Sequence, residues 1–306
     1  MTAVHQQDLP PLLENGHRPP GLASRAVDIW TYRELLVNLV RRELKVRYKD
    51  SVLGFLWTLL NPLLYLAVFS VVFGIILRAN VPRYGLFLLS GLLAFNLFSI
   101  GLSAATTSIT GNGPLVQKVW FPREILPLAA IGANLITFFF QLLILLFGLA
   151  IFRQAPEWGM LWLVIPALLV TLMIGTGLGL ALSAVNVLFR DVQHFLELGL
   201  LTWFWFTPIV YSYNLVGSAL LDRFGADGER LASLNPMLPV VTTFQRVVYN
   251  PTNFTAEQQA EFSLLVDRGT GWYLQNLAIS GAFGLVFLAI GFTVFTRLEA
   301  NLGEEL

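Results

Sequence analysis

The stretch VLGFLWTLLNPLLYLAVFSVVFGIIL, residues 52–77, runs for 26 residues without a charge. A bilayer core of about 30 Å is crossed by about 20 apolar residues in helical form, so this stretch is long enough to span it. Comparable runs follow at about 85–108, 125–152, 161–188, about 195–213 and 276–296, and only Glu197 places a charge inside any of them. Within hydrocarbon every backbone polar group must be paired internally, which leaves helices or a closed barrel, and these runs lack a barrel's alternation of period two. The expected fold is an all-α membrane protein with six transmembrane helices.

Composition agrees. Of 306 residues, 56% are hydrophobic and 12% charged, and the mean hydropathy is +0.67. Soluble domains carry about 25% charged residues, so an ordinary water-soluble globule is excluded. Nineteen basic against nineteen acidic side chains leave no net charge, hence no basic excess to attract nucleic acid. The absence of cysteine excludes a disulfide framework, a thiolate metal site and a cysteine nucleophile.

With six spans both termini share a side. That side carries twelve Lys and Arg residues, including Arg33, Arg41, Arg42, Lys45, Arg47, Lys118, Arg123 and Arg190, against three (Arg78, Arg83, Arg153) in the short loops of the other. The asymmetry predicts cytoplasmic termini in a plasma membrane. Residues 1–29 hold four prolines, scattered charges and no apolar h-region, which predicts a flexible cytoplasmic tail and no cleavable signal peptide. Residues 30–50 read as an amphipathic interface helix: Tyr32, Leu35, Leu36, Leu39, Val40 and Leu44 recur at helical spacing with polar residues between them. Its basic face, Arg41, Arg42, Lys45 and Arg47, fits either an anchor on anionic lipid head groups or a recruiting surface for a phosphorylated lipid, which guanidinium groups grip well.

Four other segments matter for function. The loop GNGPLVQKVWFPRE, 111–124, sets Leu115, Val116, Trp120 and Phe121 in a short connection, as a contact surface or partly buried in the interface. Pro122 is placed to open the next helix, and Glu124 suits its positive N-terminus. The aromatics Trp203, Phe204, Trp205, Phe206 and Tyr211 crowd around Pro208, as an interfacial belt or as a lining that stacks on sugar rings. Glu197 is either functional or paired with Arg190 or Arg123. The only long loop, 216–275, contains the apolar stretch 234–250, too short to cross and therefore re-entrant or interfacial.

Missing parts narrow the function. There is no GxxxxGK[ST] phosphate loop, so the chain does not hydrolyse ATP by that device. His5, His17 and His194 lack metal-ligand spacing, so no metal site is expected. GTGLG, 175–179, lies inside a span without a preceding strand and reads as small residues for close helix packing.

The blocks RRELKVRYKDSVLGFLWTLLNPLLYLAVFSVVFG, GNGPLVQKVWFPREILPL, VLFRDVQHFLELGLLTWFWFTPIVY and LNPMLPVVTTFQRVVYN, in this order, resemble the membrane subunits of polysaccharide ABC exporters, which move O-antigen, teichoic acid, capsule and related glycans. The resemblance covers about 30–300 and leaves the tail aside. It implies a six-span ABC transmembrane type-2 domain over 51–300, with external re-entrant gate helices in 216–275. It implies a non-enzymatic permease half that works as a homodimer with two separate cytoplasmic ATPase subunits. Those subunits would bind ATP and Mg, so this chain needs no cofactor of its own. The substrate would be a polysaccharide on a lipid such as polyprenyl pyrophosphate, in a bacterial inner membrane. Pro114, Leu115, Lys118, Trp120, Phe121, Pro122 and Arg123 correspond to the ATPase-coupling segment. A drug or small-lipid exporter of the same superfamily is the nearest rival. An ion-coupled secondary transporter would show inverted repeats with buried charges, and a membrane glycan enzyme would show a polar cluster at a span end; neither pattern is present.

Overall fold

The computed structural model of the chain describes residues 22–47, 56–72, 83–213, 234–249 and 268–299, together with positions 49, 51, 76 and 223. The expected flexible tail lies outside these residues up to position 21. Among the described residues all regular structure is helical. The helices are α1 (Leu22–Thr31), α2 (Arg33–Arg47), α3 (Leu56–Val71), α4 (Tyr84–Thr107), α5 (Gly113–Lys118), α6 (Ile125–Ile151), α7 (Val164–Leu188), α8 (Val192–Phe206), α9 (Met237–Tyr249) and α10 (Thr270–Leu298). Four helical segments are long and apolar enough to cross a membrane: α4, α6, Trp158–Leu188 (a 3-10 turn continuing into α7) and α10.

The first and fifth expected spans are shorter than their apolar runs. The described helix of the first is α3, 16 residues with Pro62 inside it, and neighbouring positions lie outside the described residues. The fifth begins earlier and ends at Phe206, because Thr207–Tyr211 forms bends around Pro208, which cannot donate to a helical ladder.

α4 is the central helix. It is apolar nearly all round, the signature of an enclosed helix, and 18 of its 24 residues are buried, by α3, α6, α7, α8 and α9. α10 buries only one stripe, Tyr273, Leu277, Ser280, Gly284, Gly291 and Phe295, and leaves an apolar face outward. That stripe packs along α7, where a Cβ on Gly177 would strike backbone of Phe287 and Leu288, and one on Gly291 would strike backbone of Gly177. The small residues of 175–179 thus serve close helix packing, as their composition implies.

α9 departs most from expectation. All its residues are buried, mainly against α4, and the Thr242 and Thr243 hydroxyls donate to the carbonyls of Leu238 and Pro239 within it. A second core cluster lies at the end of the molecule bearing α2 and α5, where Leu39 meets Ile109, Val116, Phe121, Ile125, Val187 and Phe295. Leu35, Leu36 and Val40 pack against it, so the apolar stripe expected of an interface helix is here turned onto protein.

Candidate functional site

The connection between α4 and α6 makes a 3-10 turn at Thr110–Asn112, the six-residue α5, and an extended Val119. Pro114 stands at the start of α5, where its missing N–H costs nothing. The segment divides its apolar residues. Trp120 is 82% exposed, with the ring of Tyr32 edge-on at 6.4 Å, whereas Phe121 is 5% exposed inside the second cluster. Pro114 and Lys118 face outward, while Leu115 and Pro122 are half-buried. Of the expected coupling residues, Phe121 is therefore a core anchor, because its ring fills space among Ile125, Val187 and Phe295. Arg123 also turns inward, its Nη1 donating to the Glu299 carbonyl oxygen at 2.6 Å.

Beside Arg123 lies an ionic junction that sequence reasoning missed. Residues 22–29, expected to be irregular, are helical in α1, and α1 brings in the buried Arg25. Its guanidinium forms an ion pair with Glu124, at the entrance to α6, and a second with Glu299, past the end of α10, at 2.7 Å. Glu124 keeps its expected place at a helix N-terminus, but its carboxylate is committed to Arg25. Nothing local marks Arg25; its partners stand 99 and 274 residues away in sequence.

The basic face of α2 is free in part. Arg41, Arg42, Lys45 and Arg47 are all exposed, and Arg47 reaches along α6 to donate to Thr137 Oγ1 at 3.3 Å. α2 lies close on α6, with Val40 against Gly132. Arg190 and Glu197 are both exposed and, among the described residues, form no ion pair with each other. The expected pairing with Arg123 also fails, since that side chain is held by Glu299.

The aromatic stretch splits likewise. Trp203 packs on Phe98 at 4.9 Å and Phe204 on Phe95 at 5.6 Å, both edge to face and both against the main core. Trp205 and Phe206 are exposed, and Tyr211 donates to the Trp205 carbonyl. Trp203 and Phe204 thus turn toward α4 while Trp205 and Phe206 look outward, and the two pairs stay joined where Phe204 meets Trp205 edge to face at 5.5 Å.

Polar groups hold α9 at both ends. Asn235 Oδ1 accepts from the Met237 amide at 3.1 Å, capping the helix, and also from Trp203 Nε1 at 2.8 Å; its Nδ2 donates to Thr207 Oγ1 at 3.0 Å. At the other end Gln154 Nε2 donates to the Tyr249 carbonyl at 2.6 Å, the Glu157 amide donates to the Val247 carbonyl at 2.8 Å, and Arg246 pairs with Glu157 at 3.4 Å. Gln154 is delivered there by the turn closing α6. Arg153 takes φ 49°, and the amides of Arg153 and Gln154 return to the carbonyls of Ala150 and Leu149.

The family model described as ABC-2 type transporter matches residues 34–222. The O-antigen export system permease protein RfbA of Myxococcus xanthus is 35% identical over 223 residues, 72% of this chain and 83% of that protein. A protein of the same name from Klebsiella pneumoniae is 26% identical over 275 residues, 89% of this chain and 95% of its own length. The polysialic acid transport protein KpsM of Escherichia coli is 31% identical over 98 residues, 31% of this chain and 36% of its own. Apolar spanning helices, an absent phosphate loop and a matched region that contains the whole α4–α6 connection point the same way: the chain belongs to the ABC-2 type transporter family.

Proposed function

We propose that the chain is the permease subunit of an ATP-driven exporter that carries a lipid-linked polysaccharide out of the cytoplasm of a bacterium. The observation that carries this reading is the similarity, over most of the chain, to permeases named for O-antigen export. The exposed Trp120, on a segment anchored by Phe121, supports it. The subunit works as a homodimer with two ATPase subunits that bind ATP and Mg, in an inner membrane with both termini cytoplasmic. Each protomer crosses the membrane six times, α3 and α8 being the shorter crossings, and α9 is a re-entrant helix on the outer side.

The proposed cycle uses the divided roles of these residues. Nucleotide-driven closure of the ATPases pushes on Pro114, Lys118 and Trp120, and their inward-turned neighbours, the buried Phe121 and the half-buried Arg123, pass the displacement to α6 and α10. A ligand shifts such an equilibrium only through contacts that differ between the two states, and here the nucleotide-bound partner supplies them. Arg41, Arg42, Lys45 and Arg47 gather the phosphate groups of the lipid carrier, and exposed Trp205 and Phe206 offer ring faces to sugars. The test is purification of the native complex followed by reconstitution in vesicles. Copurification of a span-free ATPase and ATP-dependent appearance of lipid-linked glycan on the far side are expected; a complex with no ATP-hydrolysing partner overturns the reading.

A further inference from the structure

We propose that Arg25 is a positioning residue for energy coupling, which makes helix 22–31 a working part of the surface on which the ATPase acts. This rests on the reading of 111–124 as the ATPase contact. The matched family region begins at residue 34 and ends at 222, so Arg25 and Glu299 both lie outside it.

One buried guanidinium joins three segments that are remote in sequence. It holds Glu124, the residue at which the contact segment becomes α6, and Glu299, the residue at which α10 ends. Arg123, next to Glu124, reaches the same Glu299 through its carbonyl oxygen. Two neighbouring arginine-based links therefore converge on the end of α10, and cations suit a helix C-terminus. α1 continues through Tyr32 into α2, with backbone bonds from the Tyr32 amide to Asp28 and from the Leu36 amide to Tyr32. The ring of Tyr32 in turn meets Trp120. The contact segment is thus backed on one side by the α1–α2 elbow and on the other by α10. A push on Trp120 meets a block whose pieces are tied by charge, and α10 transmits it to α7 through the tight Gly177–Gly291 contact. Arg25 is the side chain that touches all of α1, the start of α6 and the end of α10. A buried ion pair is weak ground for stability alone and gains its meaning from geometry, since removing one partner leaves the other charge uncompensated.

The chain has no cysteine, so site-directed spin labels need no prior substitutions in it. In the permease–ATPase complex, Val27→Cys and Gln117→Cys place labels on exposed positions of α1 and of the contact segment. Their separation is expected to stay constant between nucleotide-free and ATP-bound states, and to broaden or change with the cycle once Arg25→Ala is added. A wild-type separation that shifts with nucleotide overturns the block. In transport, Arg25→Ala is expected to lower glycan exported per ATP hydrolysed by at least about fivefold, the lower end of ordinary coupling energies, with Arg25→Lys recovering part of it; an unchanged ratio in a correctly assembled Arg25→Ala complex overturns the positioning role. If Trp120→Ala transports normally, the reading of 111–124 falls, whatever the label distances show.

Discussion

The indole Nε1–H of Trp203 donates to Oδ1 of Asn235 at 2.8 Å, joining the end of α8 to the start of α9. The same Asn235 caps α9 and reaches Thr207. Asn235→Ala removes a helix cap and orphans the Trp203 donor, so it is expected to destabilise the detergent-solubilised protein by about 2 kcal/mol. Asn235→Asp keeps the oxygen acceptor and should cost less. Denaturant unfolding of the two variants checks the order.

The Gly177–Gly291 contact predicts a contrast among glycines. Gly177→Ala and Gly291→Ala drive a methyl into backbone and are expected to cost about 1–3 kcal/mol or more, the range of overpacked cores. Gly199 on α8 has open space around its Cβ position, so Gly199→Ala should be neutral or stabilise by up to about 1 kcal/mol through helix propensity. Equal behaviour of the three would contradict the packing of α7 on α10.

Adjacent residues of the contact segment should fail in different ways. Trp120→Ala leaves the folded permease intact and is expected to lower ATP-dependent export about tenfold, a coupling loss of about 1.4 kcal/mol. Phe121→Ala empties a core position and is expected to cost about 3–5 kcal/mol of stability. Thermal inactivation measured alongside export in reconstituted vesicles separates them.

For the aromatic stretch, the exposed pair carries the transport prediction. Trp205→Leu with Phe206→Leu keeps apolar surface and removes ring faces, so export of glycan should fall while stability holds. Trp203→Leu should lower stability first, because it loses both its edge contact with Phe98 and its bond to Asn235. Full export by the exposed double variant removes these rings from the glycan path.

The basic face of α2 predicts a salt dependence. Arg41→Gln with Arg42→Gln should raise the apparent KM for lipid-linked substrate, by about 1 kcal/mol per charge at low ionic strength, and the difference should shrink in high salt. A KM that is insensitive to both variants and salt leaves the face as a lipid anchor only.

Much of this architecture is written locally. Long uncharged runs determine that the chain lives in lipid and forms helices, since the backbone has no other way to satisfy itself there. The spacing of Leu35, Leu36, Leu39 and Val40 determines which side of α2 turns inward, and Pro122 and Glu124 mark the start of α6. The tertiary structure alone decides that α4 is the central helix, because an apolar run without periodicity carries no record of which face is enclosed. It decides that Trp203 is half-buried against the core while Trp205 is surface, a choice made by the position of Phe98 and Asn235. It also draws Arg25 out of a stretch that reads as irregular tail and sets it between Glu124 and Glu299. Those carboxylates stand 99 and 274 residues away in sequence, so no local pattern could announce them; the desolvation of one guanidinium requires partners, and only the folded chain can bring both to it.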